Sequence, residues 1–429
     1  MEATTKLSLL TDHMGLEPAE DADLQRPVGS RPSPGQGPAR QLHERAPCGN
    51  TPYALHQAMD TLTRSGGDPA PTLEAKKHSL GVSQAVMPGG RRIALLKTLL
   101  TSACERDCFY CPFRARRNFR RATFKPAEMA LVFSQMHQAG VAEGLFLSSG
   151  VAGGGVRTQD QLIDTAAILR GRLAYRGYLH LKMMPGTERD QVLRSMQLAD
   201  RLSVNLEAPN TERLKRLAPG KIFFEELLQP LKWAHELRQS LAPERFGRRR
   251  WPSLVTQFVV GGAGEDDLEI LSTTHALTRQ LKLGRVYFSA FSPVPDTPLE
   301  NQAPEDPWRE HRLYQASFLI RDYGFELEDL PFTSARRLPL DRDPKQAWAE
   351  ENLAGVRVEV HKAEEAELLR VPGIGPKGAA AIISARRQAR LRDIGDLRRL
   401  GVLADRAAPY ILINGRAPAQ QMPLFAPPA

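Results

Sequence analysis

The sequence predicts an α/β fold built from six strand–helix units, followed by a smaller all-helical domain. Three observations predict it. Short apolar runs bounded by Gly, Pro or polar turns recur along the middle of the chain. Most of them are followed by a helical apolar pattern. After Asp341 the alternation stops and short helices take over. The strand-like runs are residues 93–100, 144–149, 178–183, 202–206, 253–260 and 286–291, and the helical patterns between them include 126–140, 160–173, 187–199 and 265–281. Such repetition implies parallel strands joined by right-handed crossovers. Six units are too few for a closed eight-fold barrel, so a partial barrel or an open doubly wound sheet fits.

The remaining segments follow from composition. Residues 1–45 are rich in Pro, Gly and charge and cannot bury enough apolar surface to order themselves, although a short helix fits residues 6–15. The α/β domain spans 46–342. Within it, 225–251 carries a helix and the basic stretch Arg245, Arg248, Arg249 and Arg250, and five prolines (Pro293, Pro295, Pro298, Pro304, Pro307) precede a helix at 308–323. The helical domain spans 343–415, and 416–429 is a loose tail. No apolar stretch is long enough to cross a bilayer and no hydrophobic signal core opens the chain, so a cytoplasmic or similarly reducing setting, without a membrane partner, is expected. The net charge of +9 favours polyanionic partners through counterion release, without specifying a sequence.

Three of the four cysteines, Cys104, Cys108 and Cys111, fall within eight residues directly after the first strand of the series. That is the carboxyl end of a parallel strand, where α/β folds place their sites. The C-x₃-C-x₂-C loop is short enough to wrap one [4Fe–4S] cubane and leaves one iron without a protein ligand. An open iron accepts a chelating substrate, and S-adenosylmethionine (SAM) supplies an amino and a carboxylate group for it. Tyr110 shields the cluster and lies beside an adenine, or packs as an ordinary loop aromatic. The alternative is a zinc site with Cys48 as fourth ligand, but Cys48 lies far upstream in a Pro-flanked stretch, and zinc sites usually pair their cysteines. Cys48 is therefore expected to be dispensable for the metal.

At these residues the sequence resembles the radical-SAM superfamily, and more narrowly a family labelled putative DNA modification or repair radical-SAM proteins. The stretches that carry the resemblance include Gly144-Leu145-Phe146-Leu147-Ser148-Ser149-Gly150, Asp200-Arg201-Leu202-Ser203-Val204-Asn205 and Tyr287-Phe288-Ser289-Ala290-Phe291-Ser292-Pro293. The resemblance implies a partial (β/α)₆ barrel. It implies that the turn Ser148-Ser149-Gly150 meets the SAM amino group through backbone carbonyls, since the acidic residue usual in that turn is missing. It implies a ribose contact on the fourth strand, where Ser203, Asn205 and Glu207 share one face at period two. It also implies that Gly261 and Gly262 lie beside the adenine, in a turn that otherwise reads as an ordinary strand-to-helix connection. His180 and Lys182 share a face of the third strand and meet SAM or substrate, or sit as satisfied core residues. No catalytic acid or base stands out.

In the helical domain, residues 368–380 read as helix, tight turn, helix, with Gly373 and Gly375 letting the turn bend and bring backbone N–H groups to a helix N-terminus. Such a turn binds a phosphate without reading a base, and Lys377 adds charge nearby. The stretch resembles the helix-hairpin-helix motif, with a degenerate second copy at 397–403. Arg114, Arg116, Arg117, Arg120 and Arg121, just past the cysteines, line the mouth of the barrel or form a solvated helix face. These readings converge on an enzyme that uses a [4Fe–4S] cluster, SAM and an external electron donor to form a 5′-deoxyadenosyl radical, and that acts on nucleic acid, DNA before RNA. A protein substrate, or a nucleic-acid-binding protein with a structural metal, are the alternatives.

Overall fold

The computed structural model describes residues 3–14, 80–87 and 90–418. Cys48 lies outside them. The described residues divide into two compact units: one holds the chain up to Glu265 and again from Ala276 to Pro307, the other holds Asp266–His275 and the chain from Trp308 onward.

The first unit is built on a seven-stranded sheet whose spatial order follows the chain: β1 (Val82–Val86), β2 (Arg92–Leu99), β3 (Gly144–Ser148), β4 (Leu179–Lys182), β5 (Arg201–Glu207), β6 (Ser253–Val260) and β7 (Arg285–Ala290). The strands β2 to β7 are mutually parallel, and only β1 pairs antiparallel, against β2. The six parallel strands are those the sequence pattern predicts, each within about one residue at either end. One parity of each strand is apolar and buried, as in Leu147, Leu181, Leu202, Leu254 and Phe288. The crossover helices α2 (Pro126–Gln138), α3 (Gly155–Ala167), α4 (Arg189–Leu198), α5 (Thr211–Leu217) and α6 (Gln229–Ser240) cover that face, the arrangement that buries parallel sheets. The carboxyl ends of all six parallel strands line one cavity, so the sheet curls into a half-barrel.

Two departures from the sequence reading are informative. Residues 3–14, expected to be disordered within 1–45, form helix α1 (Ala3–Met14), close to the helix the sequence allowed. Leu7 and Leu10 are buried, and Lys6 Nζ bonds Glu128 at 2.7 Å. Two apolar residues and one ion pair suffice because the helix packs on a preformed surface instead of ordering itself alone. Helix α3 begins at Gly155, earlier than its apolar pattern suggests, because the Glu105 carboxylate accepts from the N–H groups of Gly153 and Gly154 ahead of it. Among the described residues no helix is long and apolar enough to cross a membrane.

The second unit holds helices α7 (Asp267–Gln280, in its first part), α8 (Pro307–Asp322), α9 (Pro344–Asn352), α10 (Glu365–Arg370), α11 (Pro376–Gln388), α12 (Ile394–Arg399) and α13 (Ala404–Ala407). A two-stranded parallel sheet, β8 (Val358–Glu359) with β9 (Ile411–Leu412), joins its ends. Its core gathers Val360, Leu368, Val371, Ile374, Ile382 and Leu397. At one edge of that core the Lys345 ammonium donates to the Ile374 carbonyl at 2.6 Å and lies 4.6 Å from the Tyr323 ring centre. Burial pushes its pKa down to about 7, with Arg406 and Arg370 acting in the same direction and Asp343 opposing them.

A Cβ at Gly155 would lie 1.8 Å from the Pro185 carbonyl oxygen, so α3 and the segment after β4 must separate if it is added. Gly155→Ala should lower the unfolding free energy in urea by about 2–3 kcal/mol. A second expectation concerns pH. Below pH 7 Lys345 is protonated in both folded and unfolded chains, and the cost of its burial is fully present. Between pH 7 and its ordinary value only the unfolded chain holds that proton, so stability rises with pH. Lys345→Met should flatten that rise, read as the difference in melting temperature between variant and wild type across the interval.

Candidate functional site

The cysteine loop leaves β2 at Leu99 and is held by its backbone from three sides. Toward the start of α3, Glu105 N donates to Val151 O at 2.8 Å, and the Glu105 side chain accepts from Gly153 and Gly154. Toward α5, Phe109 N donates to Leu217 O at 2.7 Å. Downstream, Ser102 N donates to Ala122 O at 2.9 Å, and the Arg121 guanidinium bonds the carbonyls of Ser102, Phe113 and Arg114. Arg106 ties the loop to Glu226 at 2.6 Å. Gly150 packs so closely that a Cβ there would lie 2.3 Å from the Ala103 carbonyl oxygen. These contacts fix the loop before any ligand arrives.

Cys104, Cys108 and Cys111 all line the cavity at the mouth of the half-barrel. They do not close on a single point: among the described residues no group of three or more His, Cys, Asp or Glu is placed to hold one metal ion. A C-x₃-C-x₂-C loop with three thiols suits a multi-iron cluster, in which each sulfur takes its own iron. Burial raises the Cys108 and Cys111 thiols, and the neighbouring thiolates raise them further, Lys221 acting against the rise. Three thiolates in so dry a place need a strong local positive charge, which iron supplies.

Beside the thiols stands a buried ion pair. Lys221 Nζ bonds Glu207 Oε1 at 2.9 Å, with the side chains 10% and 4% exposed. Burial works against the Lys221 charge, but Cys108 and Glu207 outweigh it and hold the ammonium well above its ordinary value. Glu207 sits at φ +65°, at the centre of a γ-turn closed by Ala208 N donating to Leu206 O at 2.7 Å. The register against β6 shifts between Asn205 and Glu207, so a bulge re-aims this carboxylate out of the strand's regular alternation. Positive φ in a γ-turn is strained for a non-glycine residue and persists where the surroundings over-determine it. The second oxygen, Oε2, is buried without a hydrogen-bond partner among the described residues. Tyr110 lies beside this carboxylate, and burial first, then the Glu207 charge, push its phenol well up, with side-chain hydrogen bonding to Glu207 acting in the same direction.

Of the residues the sequence singles out, Tyr110, Ser148, Ser149, Gly150, Asn205 and Glu207 line this cavity with the cysteines. Ser203 does not. It lies deeper on the same strand, where its hydroxyl and His180 Nε2 share a hydrogen bond of 2.8 Å. Because β5 is flanked by β4 and β6, its polar face is no sheet edge. Gly261 and Gly262 are not among the lining residues. Their turn is held by Glu265, which accepts from Gly261 N, and a Cβ at Gly262 would strike Leu217 at 2.7 Å. The five arginines after the cysteines line no part of the cavity and form no helix: Arg117 and Arg121 brace backbone carbonyls in a series of turns, and Arg116 and Arg120 are exposed. Gly373, Gly375 and Lys377 belong to the second unit, in the turn between α10 and α11. Sequence reasoning missed Lys221, which lies in no periodic element or spaced motif, and Arg106, which occupies one of the unspecified positions between Cys104 and Cys108.

The description "Radical SAM superfamily" matches residues 98–277. No curated protein matches the chain. Among solved structures, methylornithine synthase (PylB) is 15% identical with a TM-score of 0.43, over 61% of this chain and 69% of that one. The FeFe-hydrogenase maturase HydG from Carboxydothermus hydrogenoformans is 14% identical with a TM-score of 0.41, over 53% and 51%. The radical S-adenosylmethionine methyltransferase TsrM from Kitasatospora setae is 14% identical with a TM-score of 0.36, over 55% and 41%. This chain thus spans about half, or less, of the length of the last two. Residues 98–277 form a radical-SAM domain, whose cofactors are a [4Fe–4S] cluster and SAM. When bound, this pair supplies reductive cleavage of SAM and a hydrogen-abstracting radical. Of this chain's residues, Cys104, Cys108 and Cys111 at the cavity wall are the thiols that would hold such a cluster.

Alanine at Cys104, Cys108 or Cys111 should each abolish iron retention after anaerobic reconstitution, measured as iron per chain. Lys221→Met leaves the Glu207 charge buried and unbalanced and should cost about 3–5 kcal/mol of stability. The double variant Lys221→Met/Glu207→Gln should recover most of that loss in the same denaturation assay.

Proposed function

We propose that this radical-SAM enzyme acts on nucleic acid, DNA before RNA, and modifies or repairs it after hydrogen abstraction from a nucleotide. The turn between α10 and α11 carries this reading. Gly373 stands at φ +85°, its carbonyl accepts from Leu403 N at 3.0 Å, and a Cβ there would lie 2.4 Å from the Leu403 carbonyl oxygen. Gly375 then caps α11, with Pro376 at the first helical position and Lys377 exposed beside it. A two-glycine turn opening onto a helix N-terminus presents backbone N–H groups to a phosphate. The stretch α12, Gly401 at φ +79° and α13 repeats the pattern in shorter form, and the 373–403 hydrogen bond joins the two turns. Together they support a paired helix-hairpin-helix module over 343–415. The net charge of +9 supports a polyanionic partner. A base or sugar within a duplex would have to be flipped out or single-stranded to enter the half-barrel. The reading further implies an external one-electron donor and a reducing setting such as the cytoplasm.

The test is an anaerobic assay for 5′-deoxyadenosine with the reconstituted protein, SAM and a reductant, with single-stranded DNA, duplex DNA or RNA added in turn. Stimulation by DNA supports the reading; stimulation by RNA alone moves it to RNA; no response to either removes it. Lys377→Glu should weaken DNA binding about three- to tenfold whatever the sequence and lower the salt slope by about one, as expected for a lost phosphate contact.

A further inference from the structure

The ends of the parallel strands opposite the cavity carry a concentration of positive charge. The connections that enter β3 to β7 at their amino ends are residues 139–143, 172–178, 199–200, 241–252 and 281–284, and they expose Arg172, Arg176, Arg245, Arg249, Arg250 and Lys282. The carboxylates of the same connections do not balance them. Asp200 is taken up by Arg170 and Arg248, at 2.8 Å and 2.9 Å, which leaves Glu143 and Glu244. Those two ion pairs also tie the connections to one another. Arg170 bonds the carbonyls of Tyr175, Gly177 and Leu198, and Arg248 bonds that of Gln197. The longest connection is fixed in itself. Its 3₁₀ turn, Pro243–Phe246, closes at Gly247 with φ +69°, and Trp251 Nε1 donates to the Leu241 carbonyl at 2.9 Å. Phe246 is thereby held 36% exposed, its ring centre 5.6 Å from that of Trp251, with arginines on both sides of it in sequence.

A face on which six exposed cations stand against two exposed carboxylates attracts a polyanion. An exposed aromatic ring among guanidinium groups adds a flat surface on which an unpaired base can stack. We propose that the amino end of the half-barrel binds a single-stranded stretch of nucleic acid, with Arg249 and Arg250 meeting its phosphates and Phe246 stacking against a base. The ring favours a single strand, because the bases of a duplex already stack on one another. An acidic electron donor would also be drawn to positive charge, but it must approach the cysteine loop. This face lies at the far ends of the strands, about 26 Å away along the eight residues of β6. The strand held here would flank the nucleotide that enters the half-barrel mouth. The choice of nucleic acid as the polyanion rests on the nucleic-acid reading; the charge of the face does not.

The experiment is fluorescence anisotropy of a labelled single-stranded DNA oligonucleotide with the reconstituted full-length protein, repeated over a range of salt concentrations. The double variant Arg249→Gln/Arg250→Gln should weaken binding and lower the salt slope by about 1.4, two phosphate contacts at about 0.7 each for a single strand. Phe246→Ala should weaken binding at least about fivefold at every salt concentration, as for one lost stacked base, and leave the slope unchanged. Phe246→Tyr should retain the affinity. Labelled dextran sulfate, a polyanion without bases, should bind Phe246→Ala as it binds the wild type. Melting curves check that the variants fold. A wild type that binds no single strand, or an unchanged slope in the double variant, would overturn the inference. So would full affinity in Phe246→Ala, which would leave a polyanion patch without base stacking. Slower reduction of the cluster by an acidic flavoprotein in the double variant, with DNA binding intact, would give the face to the electron donor instead. The expected losses of binding, in an enzyme whose 5′-deoxyadenosine formation no nucleic acid stimulates, leave this surface standing and remove nucleic acid as the substrate. Stimulation by DNA, with every variant binding as the wild type does, has the reverse meaning.

Discussion

Everything at the mouth of the half-barrel depends on the backbone attachment of one loop. The cysteine loop has no secondary structure of its own, so nothing within it dictates where three thiols should point. Its position comes from main-chain hydrogen bonds to Val151 on one side, Leu217 on another and Ala122 on a third. Each anchor belongs to a different strand–helix unit, so the loop cannot be placed until β2, β3 and β5 are paired and α5 has formed. The glycines complete the attachment by letting chains touch: Gly150 admits the Ala103 carbonyl, and Gly220 leaves room for the Asp107 carboxylate. A site assembled this way inherits its rigidity from the sheet and needs little from side-chain packing inside the loop.

Much of this was legible in the sequence, and the reason is periodicity. Parallel strands buried on one face by helices give short apolar runs, and all six emerge close to their expected limits. The antiparallel edge strand Val82–Val86 escaped notice because Val-Ser-Gln-Ala-Val is too short and too polar to stand out from a loop. The cysteine spacing and the polar face of β5 pointed to Cys104, Cys108, Cys111, Asn205 and Glu207, all of which line one cavity, although a bulge sets Glu207 outside the strand's regular alternation. What the sequence could not carry was contact between remote loops. Lys221 follows α5 with no pattern around it, yet it forms the ion pair that holds Glu207. The arginine run after the cysteines shows the opposite failure: it reads as a charged surface, whereas Arg117 and Arg121 turn inward to tie down backbone carbonyls. Charge density along a chain says little about direction, because a guanidinium with five donors is as useful inside a loop as outside it.

The two faces of the half-barrel divide the labour of folding and recognition. The outer face is apolar and holds the sheet to its helices. The inner face carries Lys97, His180, Lys182, Arg201 and Arg285, of which His180 bonds Ser203 on the next strand and Arg201 bonds Ser253 and Tyr287. A strand whose two faces differ this sharply has a strongly specified register, since a slip of one residue would press lysines against helices and expose leucines to the cavity. The basic interior thus also enforces correct pairing.

The γ-turn at Glu207 has a consequence for binding entropy. The carboxylate, its bulge and its partner Lys221 are already in a conformation that the free chain would rarely visit. A ligand that meets them does not have to order them, and the freedom that fixing them removes is not lost again on association. What remains to oppose binding is the ligand's own immobilisation and the desolvation of the polar groups it covers. The ordering happens once, as the chain folds, and not at each turnover.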